Sequence, residues 1–197
     1  MRTLQFLFAI LAAFAAGSAP SAGAESRFVV APLAEQRDGS TPEVFVVVTE
    51  EQRFSFVAPR GWSVFHNDEE RLITLRRGAS TLSIKFGKTA TDAANAADHF
   101  LAHLREIFSG AEVLDRPSLS ALSRPAAGFD LKWIHAQEFP RMGRFARAPL
   151  PSGDIDFGLI CPPDEFGAHL STLMRLMNRM RSAPADEPVE IPVFQVE

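Results

Sequence analysis

The chain has 197 residues, a formal net charge of −4, 46% apolar residues and one cysteine. That length suits a single domain with a sizeable core. Mild acidity excludes a general nucleic-acid binder, and a lone cysteine excludes an internal disulfide, so packing has to hold the fold.

The N-terminus reads "MRTLQFLFAILAAFAAGSAPSAGAES". Arg2 supplies a positive start, Leu4 to Ala16 is apolar apart from Gln5, and Ala22-Gly23-Ala24 is a small-x-small site. This pattern predicts a secretory signal peptide over 1–24, cut near Ala24. The apolar run of about 13 residues is short of the roughly 20 that cross a bilayer. No cysteine follows it to take a lipid, and no later segment is long and apolar enough to span. The expected product is exported and soluble, periplasmic or extracellular, without a membrane segment after cleavage.

Residues 25–42 read as a leader with one apolar patch, "FVVAPL". "EVFVVV" (43–48) is strongly β-prone. In "RFSFVAPRGWSVF" (53–65), Phe54 and Phe56 alternate with Arg53 and Ser55. Pro59-Arg60-Gly61 then supplies turn chemistry, and Trp62 opens a returning strand shared with Val64 and His66. "RLITLRR" and "STLSIKFG" follow as two strands joined at Gly78, so 43–87 is predicted as a meander of four or five antiparallel strands. The period then changes. Residues 91–110 place Ala97, Phe100, Leu101, Leu104, Ile107 and Phe108 on one side of a helix. Thr91 caps it, Asp92 sits in its first turn and Gly110 ends it.

Residues 111–137 return to β pattern, with Phe129, Leu131, Trp133 and His135 alternating with Asp130, Lys132, Ile134 and Ala136. "EFPRMGRFARAPLPSG" reads as a loop or ragged strand, and "DIDFGLICP" as a central strand stopped by Pro162-Pro163. A second amphipathic helix carries Phe166, Leu170, Leu173, Met174, Met177 and Met180 as its stripe. Residues 183–197 form a Pro- and acid-rich tail, whose "VEIPVFQVE" has the composition to add a strand to a sheet edge. Strands, helix, strands, helix predict an α+β domain over 43–182, a central antiparallel sheet with helices packed on its faces.

"FSFVAPRGW", the strand–helix–strand order and the closing helix "LMRLMNRMRSA" resemble the PsbP-like family over residues 43 to 182. That family comprises the extrinsic lumenal protein of photosystem II and exported bacterial relatives. The resemblance implies an antiparallel sheet with helices on both faces, an α/β/α sandwich, and a non-enzymatic accessory or assembly role. It implies no catalytic residues.

Several residues are candidates for chemistry. His99, His103 and Glu106 share one side of the first helix, the spacing of a transition-metal site, although His-Glu-x-x-His is absent. Cys161 with His135 or His169 is the pairing a thiol hydrolase would use. Asp154 and Asp156 fall on one strand face, expected to be solvated, where two carboxylates serve acid–base work or mere surface. Arg141, Arg144 and Arg147 recur every third residue around Met142 and Phe145, a basic loop in an acidic protein. Such a loop suits docking to an envelope protein partner or an anionic component. No motif implies a cofactor. The expected function is a non-catalytic binding or accessory module of the cell envelope, with an enzyme as the alternative.

Overall fold

The computed structural model describes residues 28–32, 43–88, 96–136, 138–151 and 153–190. The expected signal segment, leader residues 33–42, Thr91, Asp92 and residues 191–197 of the tail lie outside the described residues.

The β-prone runs at both ends of the chain meet in one small antiparallel sheet. Its order is β1 (Val29–Pro32), β2 (Val44–Val48), β3 (Gln52–Val57) and β12 (Arg181–Pro184). The first of these strands lies inside the stretch expected to be leader, and part of the fourth inside the expected tail. A larger antiparallel sheet runs in the order β4 (Ser63–Asn67), β5 (Leu72–Arg77), β6 (Ser80–Phe86), β11 (Gly153–Cys161), β10 (Phe139–Leu150), β9 (Arg124–His135) and β7 (Glu112–Asp115). The short β8 (Leu119–Ala121) pairs with the start of β9.

The antiparallel α+β expectation therefore holds, but the single central sheet and the continuous meander do not. Gly61 adopts φ +77°, and the Trp62 N–H donates to the Pro59 carbonyl at 3.1 Å, so the corner forms as its residues predict. It leads from β3 in one sheet to β4 in the other rather than closing a hairpin.

Alternation along the strands makes two apolar clusters. On β6, Leu82, Ile84 and Phe86 point one way and Thr81, Ser83 and Lys85 the other. The first face joins Phe45, Val47, Phe54 and Phe56 of the small sheet and Leu173, Leu176 and Met177 of α2 (Phe166–Arg179). Trp62, 6% exposed, closes this cluster. On the opposite face of the larger sheet, α1 (Ala96–Ile107) lays Phe100, Leu101 and Leu104 over Phe129, Leu131, Trp133 and Phe145. Each such side chain stabilises the fold by about 1.5–3 kcal/mol on burial. Ala97, expected on the stripe, is exposed.

Candidate functional site

Where a basic loop or ragged strand is expected, β10 runs as a regular twelve-residue strand between β9 and β11. Pro140, Gly143 and Pro149 mask its period of two, and arginines three apart fall on alternate faces of a strand. Arg144 sits directly opposite Asp130 and grips it bidentately, Nε to Oδ1 at 2.6 Å and Nη2 to Oδ2 at 2.5 Å. Arg147, on the α1 face, sits opposite Asp156 and holds it at 2.6 and 2.7 Å, with Asp154 at 3.8 Å. Its guanidinium also stacks over the Phe100 ring, 4.5 Å from the centroid.

Phe145 is 1% exposed, packed on Phe108 and Trp133. The exposed-loop expectation is thus corrected for Arg144, Phe145 and Arg147, which the strand turns inward. Arg141 remains half-buried. Asp154 and Asp156, expected on a solvated face, are buried instead and answered by Arg147.

Lys85 lies across from Asp156 on β6, so Lys85, Asp156 and Arg147 form one cross-strand rank. Burial lowers the Lys85 pKa, against the opposing pull of Asp156 and Glu70. For Arg147, burial acts downward, but the hydrogen bond and charge of Asp156 outweigh it and raise its pKa. The narrow cleft beside this rank, between Leu72, Ser83, Phe100 and Gly158, has room for about one water molecule. A wider, open depression of about 420 Å³ lies among Thr49, Glu50, Glu51, Arg71 and Lys88, where Arg71 is paired to Glu50 at 3.0 Å.

Cys161 is fully buried at the end of β11, its Sγ 3.9 Å from the Met142 carbonyl oxygen. Burial, with the nearby Glu165 carboxylate, pushes its pKa up to about 12, the reverse of what a thiolate nucleophile needs. His135 is opposite Phe139, three residues along β10 from Met142, which faces Cys161, or about 10 Å at strand rise. His169 is engaged elsewhere. Its Nε2 is 3.3 Å from Glu165 Oε2, and Trp62 packs edge-on against its ring at 5.1 Å.

The same Glu165 oxygen accepts a 2.5 Å hydrogen bond from the fully buried Ser80 hydroxyl. The serine hydrogen bond is the main cause lowering the Glu165 pKa. Serine, histidine and carboxylate are present, but the carboxylate lies between the other two. An acyl-transfer triad needs the imidazole there, to take the hydroxyl proton. Here the group clamps the start of α2 to β6. Sequence reasoning passed over Ser80 and Glu165, although Glu165 and His169, four apart at a helix start, were a visible clue.

On α1, His103 Nδ1 stands 3.7 Å from Glu106 Oε2, and His99 is exposed. Among the described residues, no group of three or more His, Cys, Asp or Glu side chains could hold a metal ion. Nor is any helix among them long and apolar enough to cross a membrane.

The far end of the β9–β10 hairpin stands apart. β11 ends opposite Met142 and β7 begins opposite Lys132, so the paired segments Trp133–His135 and Phe139–Arg141 project as a two-stranded ribbon beyond both neighbours. On it, Ile134 is 56% and Phe139 52% exposed. The sequence pattern counted Ile134 only as the outward partner of Trp133 and placed Phe139 in a loop.

Among solved structures, cyanobacterial PsbP (CyanoP) from Synechocystis is similar at a TM-score of 0.50 and 13% identity, covering 84% of this chain and 97% of that one. The fold is PsbP-like. LpqN, involved in cell envelope biogenesis of Mycobacterium tuberculosis, is similar at 0.48 and 13% identity over 80% of this chain and 91% of that one. A Pseudomonas aeruginosa protein of unknown function is similar at 0.44 and 15% identity over 60% and 83%. No family model matches the sequence, and neither does any curated protein. At these identities the PsbP-like likeness concerns the fold alone.

Proposed function

We propose that this protein is an exported, non-catalytic accessory module that docks a protein partner of the cell envelope through the tip of the β9–β10 ribbon. The observation behind this is the exposure of Ile134 and Phe139 on a ribbon that projects beyond its neighbours. Apolar side chains held out on paired strands suit recognition, because the pairing already fixes their backbone. Arg141, half-buried at the ribbon's base, supplies a cation on the face that carries Phe139, with Ile134 on the other face. The alternative enzyme is disfavoured by the raised pKa of Cys161 and by the order of Ser80, Glu165 and His169. Export rests on the leader-like N-terminus.

The test is affinity capture from an envelope extract with the purified protein, beside an Ile134→Asp/Phe139→Asp variant and an Arg141→Ala variant. The wild type is expected to retain a defined partner that the ribbon variants lose while melting unchanged. Capture unaffected by the ribbon substitutions removes the ribbon from the account, and rapid labelling of native Cys161 restores the enzyme.

A further inference from the structure

We propose that a second copy of this chain pairs edge to edge with β4, antiparallel and centred on Phe65. This inference is independent of the ribbon. Exposed sheet edges usually carry devices that block pairing: proline, a bulge or charge. Among the described residues, three of the four strands that end the two sheets do so here; the short β8, beside β7 on β9, packs against α2 instead, its Ser120 hydroxyl reaching Asn178. β1 contains Pro32, β12 contains Arg181 and Pro184, and β7 is broken by a register shift between Val113 and Asp115 and carries Glu112 and Asp115.

The fourth, β4, does not. Its sequence, Ser63-Val64-Phe65-His66-Asn67, has no proline, no glycine and no acidic, Lys or Arg side chain. It pairs with β5 in unbroken register from Ser63–Arg76 to Asn67–Leu72, and no described strand pairs with its other edge. Phe65, at its centre, is 50% exposed.

Charge selects the second copy over an arbitrary peptide. Arg60 precedes the strand, and Arg76 and Arg77 lie beside its start on β5; Asp68, Glu69 and Glu70 follow its end. A two-fold axis through Phe65 sets the basic end of each copy against the acidic end of the other, twice. In that register Ser63 faces Asn67 of the second copy, Val64 faces His66, and Phe65 faces itself. The two rings become cross-strand neighbours, each already carrying the Arg76 guanidinium 5.3 Å from its centroid.

Sedimentation of the purified protein across a concentration series is expected to show the mass doubling, and Phe65→Lys, with unchanged melting, to abolish it. Position makes the test specific, since residues directly opposite lie within disulfide reach. Cys161 is buried, so a Phe65→Cys variant presents one accessible thiol. It should oxidise to a covalent dimer. Ser63→Cys alone should not, whereas Ser63→Cys mixed with Asn67→Cys should. A protein that stays monomeric at the highest attainable concentration overturns the proposal. So does a dimer indifferent to Phe65→Lys, or a Ser63→Cys variant that cross-links as readily as Phe65→Cys.

Discussion

Asp156 is a carboxylate that water barely reaches, held at 2.6 and 2.7 Å by the arginine facing it. Removing one partner of such a pair costs about 3–5 kcal/mol, because the remaining charge stays buried. Arg147→Met should fall toward the low end, since Lys85 still faces Asp156. The double change Arg147→Met/Asp156→Leu should recover only part of the loss, because Asp154 then loses Arg147 and Lys85 loses Asp156, as read by urea unfolding. Glycines in the same sheet differ in a checkable way. A Cβ at Gly143 would meet the Leu159 backbone oxygen at 2.7 Å, which cannot yield, whereas one at Gly158 would meet the Ser83 hydroxyl at 2.6 Å, which can rotate away. Gly143→Ala is therefore expected to cost about 1–3 kcal/mol and Gly158→Ala less. Cys161, with its pKa pushed up to about 12, should resist thiol reagents at neutral pH until the protein unfolds, so labelling rate will follow global unfolding. The burial of Cys161 was legible in the apolar run "DIDFGLICP" that carries it, but the charge pair was not. Arg147 and Asp156 are nine apart in sequence, and only the β10–β11 register makes them opposite.

At the scale of elements, the start of α2 is held to β6 by Ser80, Glu165 and His169. Glu165 has a lowered pKa in the folded protein, chiefly through the Ser80 hydrogen bond. Its contribution to stability is therefore full above the unfolded carboxylate value of about 4.3 and is lost as pH falls through the lower folded value. Ser80→Ala should flatten that acid limb in a plot of melting temperature against pH and leave the neutral limb's shape unchanged. Helices were the most legible elements. Their apolar stripes fall where a period of 3.6 puts them, as Phe100, Leu101 and Leu104 show. β10 was the least legible, because its polar positions answer Asp130 and Asp156 rather than solvent. A pattern rule takes charge as a sign of exposure, and a buried bidentate pair breaks that rule.

For the whole molecule, strand–helix–strand–helix order was enough to anticipate an antiparallel α+β fold, and "FSFVAPRGW" with the closing helix added the PsbP-like resemblance. It could not divide the strands into two sheets. Pro59-Arg60-Gly61 makes the same turn whether the chain folds back on β3 or leaves for β4. That choice belongs to Trp62, which buries itself beside the His169 ring. Trp62→Ala should cost about 3–5 kcal/mol by the same urea measurement. Arginine clustering drew attention to the β9–β10 hairpin, whose exposed large apolar side chains are Ile134 and Phe139.

The small sheet also fixes how its first and last strands in sequence sit relative to each other. Val29, Val48, Arg53 and Ala183 stand side by side across its four strands, so the first and last strands lie about 14 Å apart, three interstrand spacings. A bridge of about five extended residues spans that gap. A chain cut back to Val29–Pro184 can thus be sewn into a ring there and reopened at the solvent-facing turn of Gly110, yielding a permuted protein that should fold to the same shape with its ends on another side.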